Sequence, residues 1–443
     1  MDTNKKSVFL KKRLLTSFYA IVLISIISIV VYTIFCIANT QKNQTVASVP
    51  ESTVSTISKP KFIETTATVI STGDIMVHSP QLNGAYIPST KEYDFSAFFK
   101  ETDEYFKKSD LSIANLEVTF GSTQSGAYSG YPIFNCPDSL ADVIKNSGLN
   151  LLLTANNHSY DTGLFGLKRT VQILKEKDIE FIGTKETIDD PTYLVKEVNN
   201  INIGITNFTY ETTLSSSPEN KKYLNGILLN EEANSLINSF NYNKLEDFYS
   251  KAEEIITEMK NENAEFIVFY MHWGNEYQTY SNTHQKAIAQ QLSNMGVDII
   301  IGSHPHVIQP IELITAEGGE HSTICLYSMG NAVSNQRKEL MDSCPSGHTE
   351  DGLLFSYTLR KTENDVILEN IDLIPTWVNK YPGGNGYQYT IYPLENENDG
   401  SQKYGLSSTA SAKAAKSYQR TKEIVSEGLT ICQEKIGCPI TFK

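Results

Sequence analysis

Cysteine is scarce in this chain, with six in 443 residues. No two of them form a C-x-x-C pair, which excludes a cysteine-ligated structural zinc site and a thioredoxin-type redox motif. They are also too sparse to replace a hydrophobic core with a disulfide framework. The one close pair, Cys432 and Cys438, suits a bridge or two reduced thiols equally. Positive charge is in short supply too: 37 Lys and Arg stand against 51 Asp and Glu, a net of −14. Residues 1–13 hold Lys5, Lys6, Lys11, Lys12 and Arg13 against Asp2, a net of +4, so the remainder carries −18. Such a surface repels phosphate backbones, which excludes nucleic acid as a partner, and it repels polyanions unless cations intervene. No internal repeat is present, which argues against a solenoid or a propeller.

One long charge-free apolar run does occur, Leu14–Ala38 (LLTSFYAIVLISIISIVVYTIFCIA). A spanning helix needs roughly 20 apolar residues, whereas a signal-peptide core has about 7–15. No A-x-A cleavage site follows closely, and Phe35 before Cys36 argues against lipidation there. The basic cluster precedes the run, so the positive-inside rule predicts a single-pass cell-membrane protein with a cytoplasmic N-terminus. The expected organisation is a basic N-terminus over 1–13, a transmembrane helix over 14–38 and an extracytoplasmic linker over 39–64. A main domain over 65–332 and a C-terminal extension packed on it over 333–443 complete the chain.

From Thr65 onward strand-like and helix-like segments alternate, which predicts an α/β domain. Expected strands are Ala67–Thr72, Leu111–Asn115, Leu149–Thr154, Ile179–Gly183, Ile201–Phe208, Glu265–Tyr270, Val297–Gly302 and Thr323–Tyr327. Most are short continuous apolar runs, as in strands buried on both faces. Expected helices are Phe95–Lys108, Ser139–Asn146, Gly166–Lys177, Leu245–Lys260 and Thr283–Asn294. Beyond Asn331, Gly352–Arg360 and Val366–Ile374 read as strands, 377–404 as loop and Ser411–Glu434 as helix.

Five polar clusters directly follow predicted strands: Gly73-Asp74-Ile75-Met76-Val77-His78, Asn115-Leu116-Glu117, Asn156-Asn157-His158, His272-Trp273-Gly274-Asn275-Glu276 and Gly302-Ser303-His304-Pro305-His306. Ligand sites in open α/β sheets lie beyond the carboxyl ends of strands, so the five clusters are expected to converge on one crevice. Five of the eight histidines fall in them. A His, Asp, Glu and Asn donor set suits one or more divalent ions, with Mn, Zn and Fe undistinguished. Each cluster alone also has a bland reading: Asp74 as a turn former or cap, Asn157 and His158 in an ordinary turn, His272 as a core histidine. His304-Pro305-His306 resists that reading best.

The series GDIM, NLE, TANNHSYD, HWGNEY, GSHPHV and YSMGNAV, in that order, resembles the CapA-type poly-γ-glutamate capsule biosynthesis family over roughly residues 66–332. That family is similar in turn to the calcineurin-like metallophosphoesterases. The resemblance implies a sandwich of two sheets flanked by helices, with a two-metal, hydrolase-like site at strand ends. It places Asp74 and His306 on the first metal, and Asn157, His272 and His304 on the second. Glu117, with or without Asn115, takes the bridging position, and His158 is the acid that protonates a leaving group. Glu276 is expected beside His272 as its orienting acceptor, with Trp273, Tyr277 and Tyr280 walling the pocket and Asn331 on its rim. The sequence departs from the phosphoesterase pattern in two places. Met76 stands where a second histidine is usual, the nearest being His78, and Ala114-Asn115-Leu116-Glu117 replaces a GDxxD bridge.

Three readings of function follow. One is a membrane-anchored metal-dependent hydrolase or transferase, of phosphoester or γ-glutamyl amide type, acting on an anionic polymer or other envelope substrate. The second is a non-catalytic scaffold that joins polyglutamate synthase and export subunits. The third is a glycan-binding module using the aromatics from Tyr270 to Tyr280.

Overall fold

The computed structural model describes residues 62–213 and 221–443. The expected transmembrane helix and cytoplasmic N-terminus, and the linker up to residue 61, lie outside the described residues. Among the described residues, no helix is long and apolar enough to cross a membrane.

Two sheets carry the fold. In chain order their strands are β1 (Thr65–Ile75), β2 (Leu111–Leu116), β3 (Leu151–Leu153), β4 (Glu180–Ile182), β5 (Tyr193–Val198), β6 (Ile201–Tyr210), β7 (Ser239–Phe240) and β8 (Phe266–His272). They continue as β9 (Ile299–Ser303), β10 (Ile311–Thr315), β11 (Ser322–Leu326), β12 (Asn331–Val333), β13 (Asp351–Lys361), β14 (Val366–Gly383), β15 (Gly386–Pro393) and β16 (Ile440–Phe442). The larger sheet runs β15-β14-β13-β1-β2-β3-β4, with β12 beside β1 and β16 beside β14. The smaller runs β7-β6-β8-β9-β11-β10, with β5 beside β6. β1 to β4 are mutually parallel, as are β7, β6, β8, β9 and β11. Each expected strand before residue 330 is present within a few residues of its expected bounds.

Alternating side chains explain the layering. Val69, Ile113, Leu151 and Leu153 on one sheet share a core with Ile203, Ile205, Val268, Ile299 and Ile301 on the other. The opposite faces are covered by helices. Ile70, Ala114 and Leu152 pack on Leu140 and Ile144 of helix α1 (Ser139–Ser147) and on Leu174 of α2 (Gly163–Glu176). Ile267, Phe269 and Ile300 pack on Ile255 and Ile256 of α3 (Leu245–Asn261) and on Ile288 and Leu292 of α4 (Thr283–Asn294). This helix–sheet–sheet–helix stack fits the expected metallophosphoesterase-like sandwich.

Two expectations are corrected. Only Asp103–Lys108 of the Phe95–Lys108 segment is α-helical. Phe95, Phe98 and Phe99 are all buried, and the Thr102 hydroxyl donates to the Phe99 carbonyl at 3.0 Å, so consecutive turns replace a regular helix. The stretch 377–404, read as loop, holds the end of β14 and all of β15. Its glycines are confined to the hairpin turn and to Gly400, while Tyr389 and Ile391 alternate inward from β15. Residues 333–443, expected as an extension packed on the domain, supply β13 to β16 to the larger sheet, and β13 pairs directly with β1. The final long helix, α5 (Ser408–Ile436), ends near Cys432 and Cys438, both buried and unbridged.

A buried ion pair ties this region together internally. Arg337 donates to the Glu350 carboxylate at 2.6 Å and to the Val378 carbonyl at 2.6 Å. The Trp377 indole and the Lys338 amide also donate to Glu350.

Candidate metal centre

Because β1, β2, β3, β8 and β9 run parallel in their own sheets, their carboxyl ends gather polar side chains at one end of the sandwich. Asp74 sits near the end of β1, Asn115 near the end of β2 with Glu117 just beyond, and Asn156 to His158 follow β3. His272 ends β8, while His304 and His306 follow β9. Two glycines let the backbones approach: a Cβ on Gly73 would lie 1.8 Å from the Gly330 carbonyl oxygen, and one on Gly302 would lie 1.8 Å from that of Tyr327. His304 and His306 hold left-handed backbone, with φ of 94° and 57°. Such conformations cost on the order of 1–3 kcal/mol each, and the surrounding structure must enforce them.

Asp74, Glu117, His272, His304 and His306 are all almost fully buried. The donor atoms of Asp74, Glu117 and His272 lie within 4.8 Å of one another, as do those of Glu117, His304 and His306. Glu117 is common to both groups. Glu117 Oε1 and His304 Nδ1 are buried with no hydrogen-bond partner. Leaving such atoms unsatisfied costs about 1–3 kcal/mol each, so two orphaned lone pairs within one donor cluster fit a cation. Asn157 Oδ1 faces His272 Nε2 at 2.8 Å, close enough to join the set that holds Asp74, Glu117 and His272.

The hydrogen bonds also orient the donors. Asn331 gives its Nδ2 to the His306 carbonyl, to Gln336 Oε1 and to the Thr349 carbonyl, which turns its Oδ1 toward His306 Nδ1 at 3.1 Å. Asp74 Oδ2 lies 3.2 Å from the same nitrogen. Two acceptors there place the proton on Nδ1, so Nε2 points its lone pair toward Glu117 Oε1, 3.8 Å away. His272 Nδ1 lies 2.9 Å from Ser303 Oγ. Asn115 Nδ2 bridges Asp74 Oδ1 at 2.7 Å and Glu117 Oε2 at 3.4 Å, and Asn156 Nδ2 fixes Asn115 by donating to its Oδ1 at 3.2 Å. Asn115 therefore clamps the two carboxylates.

Burial, then the charges of Asp74 and Glu276, pushes the Glu117 carboxyl well above the ordinary carboxylate range. Burial, reinforced by the neighbouring histidines, pulls His272 and His304 well below the usual imidazole range, which keeps their lone pairs available. Burial also acts to lower His306, but its hydrogen bond and charge interaction with Asp74 outweigh it, and the ring lies above its ordinary value. A cation entering this site competes with a proton for Glu117. Calorimetric titration with Mn²⁺ or Zn²⁺ in two buffers of different ionisation enthalpy is expected to show net proton release and tighter binding as pH rises. Heats independent of buffer would contradict that assignment.

Several expectations are redirected. Glu276 does not orient His272: its Oε1 lies 4.0 Å from His306 Nε2, its side chain is 41% exposed, and Ser303 takes the expected role. Trp273 is fully buried with its indole donating to the Tyr327 carbonyl, and Tyr270 is buried against Ser71, so neither can present a face to a glycan. Tyr277 packs 6.2 Å from the His306 ring, and Tyr280 is largely exposed. His78 belongs to neither donor group. It caps the Ser79–Ala85 helix, its Nδ1 accepts from the Asn335 amide at 3.3 Å, and burial lowers its pKa to about 4.

Residues without an expected role also take part. His158 Nδ1 lies 2.7 Å from Asp161 Oδ2, which leaves Nε2 as the ring's other nitrogen. Asn225, from a hairpin turn, reaches Asp161 Oδ1 at 3.2 Å. The Tyr210 ring lies 4.6 Å from that of His304. Asp161 stands three residues after His158 on a turn, and Tyr210 ends a strand, so both were within reach of the strand-end rule; Asn225 carries no local signal.

With this geometry in place, comparison with known proteins is informative. The capsule biosynthesis protein CapA of Bacillus anthracis is 28% identical over 313 residues, covering 70% of this chain and 66% of that protein. The PGA biosynthesis protein CapA of Bacillus subtilis is 28% identical over 294 residues, 65% of this chain and 67% of that one. An uncharacterized protein of Sinorhizobium fredii is 29% identical over 126 residues, covering 27% of this chain and 25% of its own. The chain thus spans about two thirds of the length of the two capsule relatives. The family model described as the bacterial capsule synthesis protein PGA_cap matches residues 68–336, a span that holds every donor of the candidate centre, and the chain belongs to that family.

Proposed function

We propose that this protein is a membrane-anchored, extracytoplasmic component of capsule polymer synthesis or export whose strand-end crevice is a two-metal hydrolase-type centre. The observation that carries the reading is the pair of buried orphaned donors, Glu117 Oε1 and His304 Nδ1, inside two donor groups that share Glu117. Asp74, Glu117 and His272, with Asn157 beside His272, would hold one divalent ion, and Glu117, His304 and His306 the other, so His272 and His306 exchange the places that the resemblance gives them. Bound divalent ions at such a centre activate water and neutralise charge that develops on a phosphoryl or carbonyl oxygen. The chain's own residues supply the rest. Asp161 holds the His158 imidazole by Nδ1, so that Nε2 can deliver a proton to a departing group. Asn331 and Asp74 fix the His306 ring, and Ser303 fixes that of His272. The anchor rests on the Leu14–Ala38 run and its basic flank. The natural substrate by this reading is an anionic polymer such as polyglutamate, and synthase or export subunits are its partners.

A scaffold without catalysis is favoured by one observation. Both Asp74 oxygens already accept protein hydrogen bonds, from Asn115 and from His304 and His306. His158→Asn separates the two readings. A hydrolase is expected to lose about 10²–10⁴-fold in turnover on phosphoester or γ-glutamyl substrates, with metal content unchanged. Unchanged turnover and unchanged capsule output, at normal protein level, would leave the scaffold.

A further inference from the structure

One open cavity of this acidic protein is walled without charge. It encloses about 370 Å³, and small-molecule sites span about 300–1,000 Å³. Four segments of the chain build it. The helix Ser79–Ala85 brings Ser79 and Asn83, and the short hairpin that pairs Tyr86 with Tyr93 brings both tyrosines. The loop before Phe134 brings Tyr128, and the turn between β14 and β15 brings Asn385. These segments are locked together. Gln388 Nε2 donates to the Gly84 carbonyl at 2.8 Å, and a Cβ on Gly84 would lie 1.8 Å from the Tyr387 carbonyl oxygen, so the hairpin tip and the helix touch. A Cβ on Gly130 would lie 2.4 Å from the Ser79 amide nitrogen, which sets the Tyr128 loop against the start of the same helix.

The lining selects the ligand. It holds no carboxylate, lysine or arginine, so neither an anion nor a cation gains a partner charge there. The Tyr86 and Tyr93 rings lie 5.2 Å apart at 52°, and the Tyr93 and Tyr128 rings 5.5 Å apart at 84°. Rings this close touch one another, so they leave no cage between them for an ammonium group. They form an angular aromatic wall, each ring partly buried, with Ser79, Asn83 and Asn385 exposed at its edge. Each amide offers donors and an acceptor side by side. Aromatic surface beside uncharged donors and acceptors matches a sugar ring, which presents carbon-bound hydrogens on its face and hydroxyls around its rim.

The wall also leads to the crevice. The loop that carries Tyr128 continues to Phe134, whose ring lies 4.7 Å from that of His158 and 5.2 Å from that of His78. On the way Tyr131 is 65% exposed and stands near Tyr277, which packs beside His306. Tyr93, Tyr128, Tyr131 and Tyr277 thus succeed one another from the cavity to the metal donors.

We infer that the Tyr86–Tyr93–Tyr128 cavity is a binding subsite for uncharged pyranose rings, which holds an envelope glycan chain beside the metal crevice. The envelope setting rests on the proposed function, while the preference for neutral sugars follows from the lining alone. The subsite uses none of the metal donors and gives the domain a second, uncharged ligand.

The test is fluorescence anisotropy of labelled chitohexaose and labelled maltohexaose with the full chain in a detergent that carries no sugar, at low and raised salt. Saturable binding of at least one of them, little changed by salt, is expected. The N83A/N385A variant, altered at two exposed positions, is expected to bind on the order of tenfold more weakly. Tyr280→Ala, which removes a tyrosine that is 61% exposed outside the cavity, is expected to bind as the unaltered chain does. Binding of neither oligosaccharide would overturn the subsite, and so would equal binding by N83A/N385A and the unaltered chain. Tighter binding of a labelled oligo-γ-glutamate of matched length, weakened in N83A/N385A, would overturn its assignment to neutral sugars. Metal content is measured on the same samples. A chain that binds no metal, yet binds a sugar in an Asn83- and Asn385-dependent way, would sink the proposed catalytic centre and leave the subsite standing.

Discussion

Replacing both His304 and His306 by alanine is expected to strip the purified full chain of the about one or two equivalents of Mn, Zn or Fe that the unaltered protein retains. The two residues contribute one nitrogen each to the donor group that they form with Glu117, and that carboxylate is shared with the second group, so loss of the pair weakens both. Loss of an outer-shell partner alone weakens a metal site by about 10–100-fold, so loss of two direct donors exceeds that range. The backbone strain at both positions belongs to φ and not to the side chains, so alanine adds none of consequence. It also removes the orphaned His304 Nδ1 from the interior. The variant loses the His306 contact with buried Asp74 and is expected to unfold at a lower temperature than the metal-free parent, while the rise in unfolding temperature produced by added metal disappears. A variant that keeps the parent's metal content, measured by mass spectrometry, would remove these histidines from the centre.

The largest expected effect on stability lies away from the crevice. Glu350→Ala leaves the Arg337 guanidinium, 2% exposed, without its carboxylate. Breaking one partner of a buried ion pair costs about 3–5 kcal/mol, because the remaining charge is neither solvated nor neutralised. Urea unfolding is expected to show that loss. The double change Arg337→Met with Glu350→Leu is expected to recover most of it, since two apolar side chains leave no charge behind. A loss below about 1 kcal/mol in the single variant would mean that water reaches the pair.

The sequence disclosed the donor set more fully than the architecture around it. Asp74, Glu117, Asn157, His272, His304 and His306 were legible because each follows an apolar strand, and a parallel sheet must bring those ends together. Glu276 was misplaced because the chain turns at Gly274, with φ of 88°, and again at Tyr277, with φ of 65°, so its distance from His272 along the sequence says little about direction. The β14–β15 hairpin was hidden by composition: four residues of Gly and Asn at its tip masked the two-residue alternation on either side. The Arg337–Glu350 pair was not legible, because nothing local to either residue announces that both will be enclosed by Trp377 and the end of β14.

The pairing of β1 with β13 matters for how the protein is made. Thr65 to Thr72 align with Lys361 to Leu354, so the strand that ends near Asp74 is flanked on one side by the early chain and on the other by strands from its last part. A ribosome extends a chain at about 5–20 residues per second, so the first strand emerges well before its partner exists. For that interval its open edge invites pairing with other chains. Any factor that shields an emerging polypeptide would be needed most between the synthesis of Thr65 and that of Lys361, and premature termination in that window would release a chain with no closed sheet.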